Sequence, residues 1–97
     1  MHSKVQINAV AFQEAGTCAA QGIEYDIVAQ ADEVKDLLYA FLRAVMENNC
    51  ITEHLGRAPM AGIGQAPERF KVMYDASQTE MRPTHQREEA EVALRVA

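Results

Sequence analysis

The sequence predicts an α+β fold: a three-stranded antiparallel β-meander with a long amphipathic helix packed on one face, then a second short helix and a polar C-terminal segment. Three observations predict it. Apolar and polar residues alternate near the start of the chain, apolar residues recur every three or four positions after residue 33, and a stretch rich in glycine and proline follows that helix. The chain has the length of one domain, assigned to residues 1–77, with residues 78–97 as a polar tail or a solvated helix.

Three strands are expected at residues 4–12, 17–22 and 25–30. Apolar and polar side chains alternate from Val5 to Ala9, which is the pattern of a half-buried strand. A turn with Gly16 in a positive-φ conformation joins the first two strands. Such short connections favour antiparallel pairing between strands that follow one another in sequence.

The long helix has the clearest pattern in the sequence. Asp32 is a suitable N-cap residue, because its carboxylate can accept hydrogen bonds from the first turn. The apolar stripe behind it has helical spacing: Val34, Leu37, Leu38, Phe41, Leu42 and Val45. The helix is expected to cover some 16 residues or to run on toward Leu55, where Gly56 would cap its end.

The second half of the chain is more polar. Residues 56–66 form a loop, and Pro67 suits the first turn of a second helix. A last helix is expected to begin after a cap at Thr84, with charged residues of both signs around it.

The charge of the chain narrows the class of partner. Nine Lys and Arg against 14 Asp and Glu give a net charge of −5, and only Lys4 and Lys35 are lysines among the first 70 residues. Affinity for phosphates requires clustered basic residues, so direct nucleic-acid binding is disfavoured. The negative charge is compatible with a basic protein partner, and plain solubility explains it equally well. No apolar run approaches the roughly 20 residues of a membrane span, and the start of the chain does not have the pattern of a signal peptide, so a cytoplasmic protein is expected.

We find no pattern typical of a catalytic, metal or cofactor site. Cys18 and Cys50 are not in CxxC spacing and are interpreted as small half-buried hydrophobic residues. Glu24 and Asp26 are expected on one face of a strand, where a third converging acidic group is missing, so they are interpreted as an exposed acidic strand edge and as candidates for a protein-binding edge. The histidines lack the spacing of metal ligands: His2, His54 and His85.

The segment from Ala19 to Asp32, AAQGIEYDIVAQAD, resembles the strand–strand–helix core of HicB-like antitoxins, which commonly read along the lines of VAQCLEYDIVAQGDT. The resemblance covers the first half of the chain. The resemblance implies a partial RNase H-like fold without nuclease residues. It also implies a protein that neutralises a small mRNA-cleaving toxin by binding it and that forms dimers or tetramers. Residues 68–97 are too short and too acidic for the helix-turn-helix domain of that family, so DNA binding by this segment is not expected.

The leading hypothesis is a non-enzymatic module that binds a basic protein through an acidic surface. The predicted members of that surface are Glu24, Asp26, Asp32, Glu33 and Asp36. The first alternative is a phage or mobile-element inhibitor, such as an anti-CRISPR protein, that presents carboxylates where phosphates would bind. The second is an orphan homo-oligomeric domain, since uncovered sheet edges pair readily; a homodimer or higher oligomer is expected in any case.

Overall fold

The N-terminal strand is the centre of the fold. The computed structural model describes most of the chain: residues 5–58, 60–81 and 90–97. Strand β1 (Val5–Glu14) pairs antiparallel with β2 (Thr17–Gly22), and β2 pairs antiparallel with β3 (Val28–Ala31). The predicted antiparallel pairing of the first three strands is therefore confirmed, but it describes only part of the sheet.

Two further strands extend the sheet on the other side of β1. Strand β5 (Ala90–Val96) runs parallel to β1, and β4 (Thr79–Met81) pairs antiparallel with β5, so the five-stranded mixed sheet has the order β3-β2-β1-β5-β4. The prediction that residues 78–97 form a polar tail or a solvated helix is wrong for these two segments. The predicted cap at Thr84 lies outside the described residues, as does the whole range 82–89.

The alternation of side chains explains why the end of the chain is a strand. Val92 and Leu94 are fully buried on the sheet face that carries Ile7, their neighbour on β1. Arg95 points to the opposite face. This alternation with a period of two fits a strand. On a helix the same apolar residues would not form one continuous stripe, so the predicted helix is wrong for these residues.

The long helix is confirmed. Helix α1 (Val34–His54) lays its apolar stripe on the sheet, and Phe41 at the centre of that stripe is fully buried. Its N-cap residue is Glu33 rather than Asp32, and Glu33 makes no side-chain capping bond. Gly56 follows the helix with φ +72°, as expected of a glycine at a helix end.

A second helix packs against the other face of the sheet. Helix α2 (Glu68–Ala76) begins directly after Pro67, and Phe70 stacks on Phe12 of β1 with 5.8 Å between the ring centroids. Val10, on the same face as Phe12, is fully buried. Each face of the central strand is thus covered by one helix. Neither helix within the described ranges combines the length and apolarity needed to cross a membrane.

Candidate functional site

Three of the five predicted carboxylates lie together where the sheet passes into α1. Asp32, Glu33 and Asp36 are all exposed, within five consecutive positions at the N-terminal end of the helix. Within the part of the chain that the structure describes, these carboxylates have one ion pair, between the Nζ of Lys35 and the Glu33 carboxylate at 3.2 Å. Both of those side chains are largely exposed, so this ion pair is weak. We call Asp32, Glu33 and Asp36 the acidic junction.

Negative charge at the N-terminal end of α1 also stabilises the helix itself. The N-terminus of a helix carries a partial positive charge from its unpaired N–H groups, and nearby carboxylates stabilise it by about 0.3–1 kcal/mol each. The chain places three exposed carboxylates here, and Glu33 makes no side-chain cap bond. Part of the charge of the acidic junction is thus accounted for by the helix end, and all three carboxylates remain open to solvent.

The acidic junction continues directly from an open sheet edge. Strand β3 is the last strand of the sheet, and no further strand among the described residues pairs with its outer side. Val28 and Gln30 point away from α1, and Val28 is 52% exposed. An uncovered edge strand presents unpaired N–H and C=O groups, which form a template for an added strand. The exposed Val28, the open edge of β3 and the three carboxylates of the acidic junction thus follow one another along the chain from residue 28 to residue 36.

Glu24 does not belong to this surface. It lies in the loop between β2 and β3, and its carboxylate accepts two hydrogen bonds of 2.7 Å from Asn8, one from the backbone N–H and one from Nδ2. The Asn8 carbonyl in turn accepts the N–H of Ile23 at 2.8 Å. These bonds fasten the loop to β1, so Glu24 is a structural residue.

Asp26 occupies an intermediate position. Its Oδ1 accepts a 2.8 Å hydrogen bond from Nε2 of the buried Gln21, and its backbone N–H donates to the carbonyl of Gly64 at 2.7 Å. The residue is nevertheless exposed. Asp26 therefore connects the loop to β2 and to the segment before α2. It is exposed to solvent and precedes the acidic junction by six residues.

The expectation that Glu24 and Asp26 share one face of a strand is wrong, and Gly22 gives the physical reason. At Gly22 the chain leaves β2 and curls over it, so that a Cβ added there would lie 2.5 Å from the carbonyl oxygen of Tyr25. Only glycine allows so close an approach of backbone to backbone. The third strand consequently begins at Val28 and not at Tyr25.

A second polar contact, which the sequence analysis missed, joins α2 to the sheet. Nη1 of Arg95 donates to the carbonyls of Tyr74 and Ser77 at 3.3 and 3.4 Å, and the guanidinium lies 4.2 Å from the centroid of the Tyr74 ring. Burial raises the pKa of the Tyr74 phenol above 10.0, and the nearby positive charge of Arg95 partly opposes this. The signal in the sequence is an arginine within an alternating apolar run, which is typical of a strand whose second face meets a polar partner.

The remaining reactive side chains do not gather. Cys18 is buried, with its Sγ 3.8 Å from the carbonyl of Asp32, whereas Cys50 is exposed on α1, in contrast to the half-buried position expected of it. Within residues 5–58, 60–81 and 90–97, no three His, Cys, Asp or Glu side chains are grouped so as to hold a metal ion. Comparison with known proteins assigns no relative, since no family model, no curated protein and no solved structure matches the chain.

Proposed function

We propose that the protein is a non-enzymatic binding module that neutralises a basic protein partner, in the manner of the HicB-like antitoxins that its sequence resembles. The observation that carries the proposal is the acidic junction beside the open edge of β3. Three exposed carboxylates on a rigid helix end offer a fixed anionic surface, and the helix behind them is anchored by a buried stripe.

The two adjoining surfaces have complementary uses in recognition. An extended segment of the partner that adds to the edge of β3 forms main-chain hydrogen bonds, which give affinity with little dependence on sequence. Lysine or arginine side chains that follow this segment meet Asp32, Glu33 and Asp36. Opposite charges at the rim of an interface increase the association rate and select the partner, and this contribution falls with rising salt.

Two further features support a HicB-like module. Strands β1, β2 and β3 are antiparallel and α1 packs on one of their faces, which is the arrangement that the resemblance implies. Glu24, in the loop that carries the family-like sequence, binds Asn8. This internal bond gives the acidic residue in that motif a structural purpose that needs no reaction chemistry.

The test begins with the genes on either side of this one: any short basic protein that they encode is co-expressed with the chain, with growth of the cells as the readout. We expect the chain to relieve the toxicity of that protein, and the triple variant Asp32→Asn, Glu33→Gln, Asp36→Asn to lose the relief. The proposal is refuted if no neighbouring basic protein has a toxicity that this chain relieves.

A matched control separates local charge from net charge. Glu68, Asp75 and Glu80 are exposed and belong to α2 and to β4 at the opposite edge of the sheet, so neutralising them changes the net charge by the same amount. We expect this control variant to neutralise the partner as the unchanged chain does. Equal loss in both triple variants would show that only the overall charge matters, and would contradict a binding surface at the acidic junction.

A further inference from the structure

The solvent side of α1 changes character in its last third. Large apolar side chains are exposed there: Ile51 and Leu55 are each 58% exposed, next to the exposed thiol of Cys50. Glu47 and His54 border the same open apolar surface. Since the opposite side of the helix is already buried on the sheet, these residues form a separate apolar strip rather than the margin of the core.

The order of residues along this strip is self-complementary. Along the helix the strip contains, in order, the acidic Glu47, the apolar Cys50 and Ile51, and the basic His54. A copy of the helix that runs in the opposite direction presents these residues in the reverse order. A two-fold axis between Cys50 and Ile51 therefore places each Glu47 beside a His54 and each Cys50 beside an Ile51. An interface with two-fold symmetry requires this reciprocity, in which residue i contacts j and j contacts i.

We infer that this strip is the contact surface for a second copy of the chain, with the C-terminal thirds of two α1 helices packed antiparallel. The overlap extends from Glu47 to His54, with Cys50 and Ile51 at its centre. In each half of the contact the Glu47 carboxylate accepts a hydrogen bond from the imidazole of the copy's His54.

The size of the overlap determines the strength of the pair. At 1.5 Å per residue the overlap is roughly 11 Å long, about two helical turns. Such a contact buries less than the approximately 1,200 Å² of a standard stable interface, and the net charge of −5 on each chain opposes association. The dimer is therefore weak and reversible, with a Kd between about 1 μM and 1 mM.

This surface is distinct from the acidic junction. Asp36 and Ile51 lie on the same helix but 15 residues apart, a distance of roughly 22 Å along its axis. Asp36 falls outside the overlap, so a dimer keeps both acidic junctions exposed. A failure of either proposal leaves the other standing.

Sedimentation equilibrium of the full chain over a wide concentration range, under reducing conditions that prevent a disulfide through Cys50, tests the inference. We expect the mean mass to rise from 10.8 kDa toward twice that value as concentration increases. Ile51→Asp should raise the Kd by about 100-fold or more, because the two-fold axis introduces the substitution twice at the centre of the contact. A chain that stays at the monomer mass throughout overturns the inference.

Two further variants tie any dimer to this geometry. Val72 on α2 is 61% exposed, so Val72→Asp is a matched control that should leave the Kd unchanged. His54→Glu should weaken the dimer about tenfold, and the added change Glu47→Lys should restore it, because the reversed pair attracts again. Equal effects of Ile51→Asp and Val72→Asp, or no restoration by Glu47→Lys, contradict the antiparallel pairing.

Discussion

Glu24→Ala tests whether a carboxylate holds the loop between β2 and β3. The substitution removes both 2.7 Å hydrogen bonds to Asn8 and leaves the Asn8 N–H without that partner. Hydrogen bonds that involve a charged group contribute about 1.5–3 kcal/mol each to stability. Because both bonds end on one residue and the site is half-buried, we expect a combined loss near or below the lower end of their sum of about 3–6 kcal/mol, namely about 2–4 kcal/mol.

The loss is large enough to measure by thermal unfolding followed by circular dichroism. For a domain of this size each kcal/mol changes the Tm by about 4–8 °C, so the expected fall is about 8–32 °C. Glu14→Ala is the control, since Glu14 is exposed at the end of β1 and should change the stability by no more than about 0.5 kcal/mol. In a cycle with Asn8→Ala, the two substitutions should be strongly non-additive.

A partner-binding role for Glu24 predicts different results. In that case Glu24→Ala would unfold at the same temperature as Glu14→Ala and would weaken only the binding of the partner. Equal Tm values for these two variants would therefore refute the structural role assigned to Glu24.

The remaining predictions concern β5 and α2. Leu94→Ala should cost about 2–5 kcal/mol in urea unfolding because Leu94 is fully buried in β5, and a change below 1 kcal/mol would contradict its place in the core. Arg95→Met should cost about 1–2 kcal/mol through loss of its bonds to the Tyr74 and Ser77 carbonyls; no change would mean that this contact is not formed in solution. The pKa of Tyr74 is raised in the folded chain, so its contribution to stability is present below about pH 10 and is lost as the pH rises through the folded pKa. Urea unfolding at alkaline pH should show a smaller loss for Tyr74→Phe than for the unchanged chain, and equal losses would contradict the shift.

Features set by neighbouring residues were predictable from the sequence. The bounds of β2 agree with the expected residues 17–22, and α1 runs to His54, just before the predicted stop at Gly56. In each case a local pattern is decisive: a glycine at positive φ or an apolar stripe with a period near 3.6 residues. Of the five carboxylates predicted to form one acidic surface, Asp32, Glu33 and Asp36 are exposed together at the start of α1, and Glu24 is not among them.

Features set by distant contacts were not predictable in the same way. Strand β5 is buried because it pairs in parallel with β1, more than 80 residues earlier, and its alternating pattern was too short to distinguish from a polar helix. The internal role of Glu24 depends on the close backbone approach at Gly22, which no pattern of hydrophobicity encodes. The exposed strip at the end of α1 depends on which side of the helix packs on the sheet, and that contact is not set by the residues of the helix alone.

The central claim is that a basic partner binds along β3 and the acidic junction, and amide chemical-shift mapping on the isotopically labelled chain tests it most directly. Titration with a basic protein whose toxicity the chain relieves should shift or broaden the amide signals from Val28 through Asp36, while signals of α2 stay unchanged. Perturbation centred on α2 or on the end of α1, with residues 28–36 unaffected at saturating partner, would contradict the claim.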